Sequence, residues 1–262
     1  MFDYHIHSNV SFDSSASWQS MVKAASDAGL KEICFTDHRD TDPLGEKCLT
    51  YDIRDYKEKY GEMLRREQPV RVKLGAEIGA VPWEPPAYDA LALDYEYDFI
   101  ICSAHFVGRE DPYFPDFFDK RSREEGFSDY LAEVIENIRI HNIFSVFGHL
   151  TFVSKNCPCQ DPVVHYAEFA DYYDEIFRLL IARGKGIEVN TSGYANTGQP
   201  MPPYDAVKRY FELGGEIITV GSDAHSPERV GEHIPEVIER IKAAGGKYVC
   251  TFDKMKPVFH KI

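Results

Sequence analysis

Short runs of β-branched, aromatic and apolar residues recur along the chain, and most are followed by a longer stretch in which apolar residues return every three or four positions. The first pattern is that of a buried strand and the second that of an amphipathic helix. The runs at 2–7, 32–36, 70–78, 98–105, 143–149, 186–190, 216–222 and 248–252 read as strands. Between them, 17–29, 51–67, 128–142, 163–184, 204–215 and 227–246 read as helices, and DAGL, ELGG and AAGG supply the glycines that commonly close a helix. Strand and helix alternating about seven times implies parallel strands with helices outside, a barrel in preference to a doubly wound open sheet, with closure itself left open by the pattern. A chain of 262 residues suits one domain of that kind, residues 1–262. The stretches 107–126 and 151–162 are long for simple connections and are expected to face a substrate.

Composition narrows the picture. No apolar run approaches the roughly 18 residues of a membrane span, and the start MFDYHIHS lacks the basic and apolar regions of a signal peptide. A soluble, cytoplasmic protein is expected, with its six cysteines reduced. Cys34, Cys102 and Cys250 fall inside apolar runs; Cys48 has no evident task; Cys157 and Cys159, in a polar loop, are a weak metal signal without a second Cys/His pair nearby. The net charge of -14, from 43 acidic and 29 basic residues, argues against a nucleic-acid partner. Oligomeric state is not legible.

Chemistry gathers at the strand ends. DYHIHS carries His5 and His7, two positions apart and therefore on one face of a strand. CFTDH carries Asp37 and His38, LGAEIG carries Glu77, CSAH ends in His105 and VFGH in His149. IEVNTSG carries Asn190, and VGSDAH carries Asp223 and His225. His141, His165, His233 and His260 fall on helices or the tail. Taken singly, each strand-end residue has a plain structural reading, but the C-terminal ends of parallel barrel strands converge on one face. Six imidazoles meeting Glu77, Asp223 and Asp13 there would be costly to bury without partners, and divalent cations supply the compensation. Nitrogen and oxygen donors suit zinc, iron or manganese better than calcium, and the lack of cysteine at these ends argues against a closed structural zinc site. Nine ligands are too many for one ion, so two to three divalent ions are expected. Ser103 and Ser222 stand beside the cluster outside any G-x-S-x-G elbow, which leaves no serine nucleophile.

In chain order, DYHIHS, FTDH, GAEIG, SAHF, GHL, NTSG and GSDAH resemble the polymerase and histidinol phosphatase (PHP) family, in its histidinol-phosphate phosphatase branch. The resemblance implies an α/β fold, a distorted TIM-like barrel of seven strands and seven helices with a trinuclear metal site at the C-terminal strand ends. It implies a metal-dependent phosphatase that hydrolyses a small phosphate monoester with a metal-activated water, histidinol phosphate of histidine biosynthesis leading. Carried over by position, it places His5, His7, Glu77 and Asp223 on one ion, with Glu77 bridging to a second ion held by His105 and His149. Asp13, where relatives often have histidine, would join His38 and His225 on a third. Asp37 is expected to orient His38 or a neighbouring ligand, in preference to shuttling the leaving-group proton, and Asn190 to contact substrate or support a ligand.

The branch also expects basic residues after NTSG and after GHL to hold phosphate. NTSGYANTGQPMPPYD has none before Lys208, and GHLTFVSKNCPC offers only Lys155, which cannot reproduce an arginine fork. Arg109, Lys120 and Arg121 of the long loop are the other cations at hand, their plainer reading being solvated surface charge, and the aromatic residues of 112–118 could shelter a planar substrate or pack the loop down. Two other classes stay open. One is an amidohydrolase-like hydrolase, disfavoured because the bridge candidate is Glu77 and not a lysine. The other is a non-catalytic metal-binding module.

Overall fold

The structure is a computed structural model that describes residues 1–40 and 49–262; Cys48 lies outside the described residues. Seven strands form one sheet in sequential order, every neighbouring pair parallel: β1 (Phe2–Ile6), β2 (Glu32–Phe35), β3 (Arg71–Gly79), β4 (Phe99–Ser103), β5 (Val146–Phe147), β6 (Gly186–Asn190) and β7 (Ile218–Gly221). The sheet curls until its edges meet. His7 N–H donates to the Ala224 carbonyl at 2.9 Å and Asp223 N–H to the His5 carbonyl at 2.8 Å, which ties the end of β1 to the turn after β7. The result is the nearly closed parallel barrel that the alternating pattern implied.

Helices α1 (Trp18–Asp27), α2 (Ile53–Leu64), α3 (Pro85–Leu93), α4 (Arg123–Ile140), α5 (Ala170–Ala182), α6 (Tyr194–Thr197), α7 (Tyr204–Glu212) and α8 (Ile234–Ala243) follow the strands. Their starts are locally encoded. Ser17 caps α1 by accepting from Ser20 N–H, and Ser122 with Glu125 forms a reciprocal capping box at α4, satisfying amides the helix cannot. Each of the longer helices turns an apolar stripe such as Met21, Val22 and Ala25 of α1 onto the sheet.

The barrel interior is divided between an apolar floor and a polar mouth. Tyr4, Cys34, Phe99, Ile101 and Val146 fill the floor. A hairpin of β8 (Tyr248–Asp253) and β9 (Lys256–Lys261), antiparallel and outside the barrel sheet, plugs the N-terminal opening with Cys250 and Phe252. Phe252 lies 4.9 Å from Phe99 between ring centroids, its N–H donates to the Tyr4 hydroxyl at 3.0 Å, and that hydroxyl donates in turn to Glu32. The run 248–252 is thus a strand, as its pattern predicts, but its partner is the unanticipated β9, which also carries His260.

One irregularity matters for the mouth. Between Asp3 and Ile6 β1 gains a residue relative to β2, a bulge that shifts the pleat so that Tyr4 faces the floor while His5 still faces inward. Other boundaries also differ from expectation. α3, announced by consecutive prolines at its first turn, is new. α4 takes residues from the expected loop 107–126. α5 starts at Ala170 and not at 163, because the Arg123 guanidinium binds the carbonyls of Asp161 and Val163, both at 2.7 Å, and holds that segment off the helix. The expectation of reduced cysteines is corrected at one place, since Cys157 and Cys159 are joined as a disulfide, whereas Cys34, Cys102 and Cys250 are buried and free. Among the described residues no helix is long and apolar enough to cross a membrane.

Candidate metal centre

At the C-terminal mouth, a cavity of about 750 Å³ opens over the strand ends. Glu77, on β3 and fully buried, stands at its base. Its Oε1 lies 2.7 Å from His149 Nε2 and 3.1 Å from His105 Nε2, and it accepts from the Ser103 hydroxyl at 2.7 Å. Its Oε2 lies 3.1 Å from His5 Nε2, 3.1 Å from His38 Nδ1 and 3.5 Å from His7 Nε2. One carboxylate therefore faces five imidazoles, split between its two oxygens.

The remaining donors close around it. Asp223 Oδ1 is 3.6 Å from His5 Nε2 and 3.5 Å from His7 Nε2, on a residue held at φ 56° by the turn that ties β7 to β1. A non-glycine residue in the left-handed region costs energy that the surroundings must offset, a common condition at functional sites. Asp13 Oδ2 is 3.0 Å from His225 Nε2 and 3.4 Å from His38 Nε2, and the His225 ring stacks on His7 at 4.0 Å. Four sets of donors are close enough to share a cation: His7, Asp13, His38 and His225; His5, Glu77 and His149; His5, His7 and Asp223; His38, Glu77 and His105.

Electrostatics at the mouth follow from burial and proximity. Burial alone would raise the Glu77 carboxyl, but His5, His38 and His105 hold it well below the usual carboxylate range. Burial works against a charged His105, yet Asp40 and Glu77 prevail and push it up to about 10. His7 moves the opposite way, below its ordinary value, through burial and the neighbouring His225 and His38. The buried nitrogens His7 Nε2, His38 Nδ1 and His225 Nε2 stand 3.0 to 3.5 Å from carboxylate oxygens but make no hydrogen bond of good geometry with them. Such atoms are expensive unless something else binds them. Nitrogen and oxygen donors alone, with imidazole nitrogens left without a well-formed hydrogen bond, suit a divalent cation of the zinc, iron or manganese type.

A family model for the PHP domain matches residues 3–192. The chain belongs to the PHP domain family. Histidinol-phosphatase of Lactococcus lactis subsp. lactis (strain IL1403) is 29% identical over 256 residues, spanning 97% of this chain and 95% of its own length. A protein of Clostridium acetobutylicum named probable histidinol-phosphatase is 27% identical over 99% of this chain and 96% of its own. Among solved structures, histidinol phosphate phosphatase from Lactococcus lactis subsp. lactis Il1403, complexed with zinc, L-histidinol and phosphate, superimposes with a TM-score of 0.89 at 28% identity, covering 98% of each chain.

In this PHP domain all nine expected donors, His5, His7, Asp13, His38, Glu77, His105, His149, Asp223 and His225, meet at one mouth. Lys155 also lines the cavity, its Nζ 3.1 Å from Asp223 Oδ2. Two residues stand behind the donors and not in the cavity. Asp37 is fully buried behind the wall, accepting from Ser8 N–H at 2.7 Å, the Ser11 hydroxyl at 3.0 Å and the Tyr60 hydroxyl, so it cannot reach a leaving group. Its reach into the site is indirect, because Ser11 also bonds His7 Nδ1 at 3.0 Å. Asn190 is buried too and does not line the cavity: its Oδ1 accepts Ser192 N–H at 2.9 Å and its Nδ2 donates to Glu188 at 3.1 Å.

Sequence reasoning missed Asp40 and Glu188. Asp40 Oδ2 is 2.6 Å from His105 Nδ1, and its Oδ1 accepts Gly79 N–H at 2.8 Å. Glu188 Oε1 is 2.6 Å from His5 Nδ1. The signal for Glu188 was present: it is an acidic residue inside an apolar strand, in step with Asn190 two positions on. For Asp40, two residues beyond His38, the chain offered no comparable signal.

Proposed function

We propose that residues 1–262 form one catalytic unit, a metal-dependent phosphatase that hydrolyses a small phosphate monoester, with histidinol phosphate the leading substrate. The observation that carries this reading is Glu77, whose two oxygens address separate imidazole sets directly beneath a cavity whose wall carries Lys155. The similarity to histidinol-phosphatases over nearly the whole chain supports it. His5, His7, Glu77 and Asp223 would hold one ion, Glu77, His105 and His149 a second, and Asp13, His38 and His225 a third.

Charge supports that number. Glu77, Asp13 and Asp223 contribute three negative charges, and Asp37, Asp40 and Glu188 behind them three more, of which Lys155 offsets one, leaving about five for two to three divalent ions to balance when the imidazoles are neutral. Zinc comes first among zinc, iron and manganese, given the donor set and the zinc-bound relative. When bound, such ions stabilise charge on phosphoryl oxygens and lower the pKa of a coordinated water.

The protein's own groups do the rest. Lys155, kept charged by Asp223 despite its burial, presents an ammonium to an incoming phosphate. Asp40 and Glu188 fix the tautomers of His105 and His5 so that the opposite nitrogens face the cavity. Phe12, Tyr113, Phe114 and Phe152 form an aromatic rim that suits the imidazole ring carried by a histidinol leaving group. The net charge of -14 disfavours a nucleic-acid substrate.

The test is phosphate release from histidinol phosphate and from aliphatic phosphate esters, alongside amides and lactones, before and after chelation and with zinc or manganese restored. Turnover of phosphate esters that chelator abolishes and metal restores is expected. Turnover of amides or lactones alone, or of nothing while metal is bound, would overturn it.

A further inference from the structure

Glu188 is 1% exposed and lies behind the side chains that meet in the cavity. Its Oε1 is 2.6 Å from His5 Nδ1, the ring nitrogen opposite the one that faces Glu77. Its Oε2 accepts the backbone N–H of His149 at 2.8 Å and Asn190 Nδ2 at 3.1 Å. From Asn190 the chain of contacts continues: Asn190 Oδ1 accepts Ser192 N–H, and the Ser192 hydroxyl lies 3.0 Å from Asp223 Oδ2. Space for the carboxylate is made by glycine. A Cβ on Gly221 would fall 2.5 Å from Glu188 Oε1 and 2.3 Å from His5 Cβ, closer than atoms can approach. Asp40 and Asp37 serve the other donors: Asp40 holds the His105 ring with His38 Nδ1 3.6 Å away, and Asp37 acts through Ser11 on the His7 ring and the His38 backbone N–H. Glu188 grips two donor-bearing segments whose imidazoles face different oxygens of Glu77.

We propose that Glu188 is a positioning residue that couples metal subsites: it fixes the His5 side chain and the His149 backbone together, so that filling one subsite preorganises the next. The proposal rests on the metal-binding part of the reading above and not on its phosphoryl chemistry. A carboxylate accepts at both oxygens, whereas a carboxamide must turn an NH2 donor toward either His5 or the His149 N–H. Glu188→Gln therefore keeps the volume and breaks one of the two grips.

The test is zinc titration of metal-depleted protein by calorimetry, with elemental analysis of the loaded forms. Wild type is expected to bind cooperatively. Glu188→Gln is expected to bind roughly 10- to 100-fold more weakly with cooperativity lost, and Glu188→Asp to recover part of it. A purely structural role would lower the melting temperature of the metal-free protein and leave the shape of the isotherm unchanged. Superimposable isotherms for wild type and Glu188→Gln would overturn the proposal. Should that variant not fold, Asn190→Ala decides instead, with a smaller loss of cooperativity expected and an unchanged isotherm contradicting. Coupling lost on substitution in a protein that turns over no phosphate ester would refute the phosphatase reading alone, and full turnover with an unchanged isotherm would refute the coupling alone.

Discussion

Lys155→Met probes how this chain manages phosphate without the arginine that its branch leads one to expect. Lys155 is the one lysine or arginine lining the cavity among the described residues. Two unit charges about 4 Å apart attract by about 4 kcal/mol at an effective dielectric near 20. Asp223, 3.1 Å from the same ammonium, cancels much of that field. What remains is of the order of one charge-assisted hydrogen bond, about 1.5–3 kcal/mol, or roughly 10- to 150-fold in affinity. The loss is expected in KM for the phosphate ester and, by the same factor, in the inhibition constant of inorganic phosphate, with kcat less affected. Lys155→Arg should bind phosphate at least as well as wild type, since a guanidinium offers two parallel donors. Metal content should not fall in Lys155→Met, because Asp223 loses a competitor for its charge. An inhibition constant for phosphate that does not move on Lys155→Met would refute this account of the anion's grip.

Three further outcomes follow from the structure. His5 and His38 are raised well above the ordinary imidazole value and His105 is raised to about 10, each against the lowering effect of burial, by the carboxylates that face them. The metal-free protein should therefore carry protons there at pH 8, so zinc loading should release roughly three protons per molecule and weaken as pH falls; calorimetry in buffers of different ionisation enthalpy would contradict this by finding no net release. The sign for stability is opposite. Imidazolium stabilisation of the metal-free fold is fully present below about pH 6.5 and lost as pH rises through about 10; a chelated protein whose denaturation midpoint rises between pH 7 and 10 would be inconsistent with it. At the other end of the barrel, Phe252→Ala should cost about 3–5 kcal/mol in denaturant unfolding, as loss of a buried ring usually does, while leaving activity per folded molecule intact; a loss under about 1 kcal/mol would mean that the hairpin does not plug the barrel.

Legibility in the sequence tracked the range of the interaction concerned. The seven barrel strands were visible because buried parallel strands are largely apolar, and eight of the nine expected donors because each stands at or near the end of such a run, Asp13 being carried by the family resemblance alone. The strand at 248–252 has the same composition, and nothing local distinguishes a barrel strand from half of a hairpin; only its pairing with Lys256–Lys261 does. The start of α5 depended on Arg123, about 40 residues earlier, and no window of sequence holds both. Asp37 was legible as an acid beside His38, but its direction was not, because the donors that claim it come from Ser8, Ser11 and Tyr60 on other elements. Glu188 reads as a strand residue until Gly221 and His5 are brought against it.

The central claim is that imidazoles and carboxylates from six of the seven strand ends share one set of divalent ions around Glu77. Anomalous diffraction at the zinc edge, from crystals grown with zinc, tests it most directly. The account predicts peaks on both sides of the Glu77 carboxylate, one beside His5, His7 and Asp223, one beside His105 and His149, and one beside Asp13, His38 and His225, each about 2.0–2.1 Å from its ring nitrogens. A map with no peak at that carboxylate, the same side chains still gathered around it, would contradict the account.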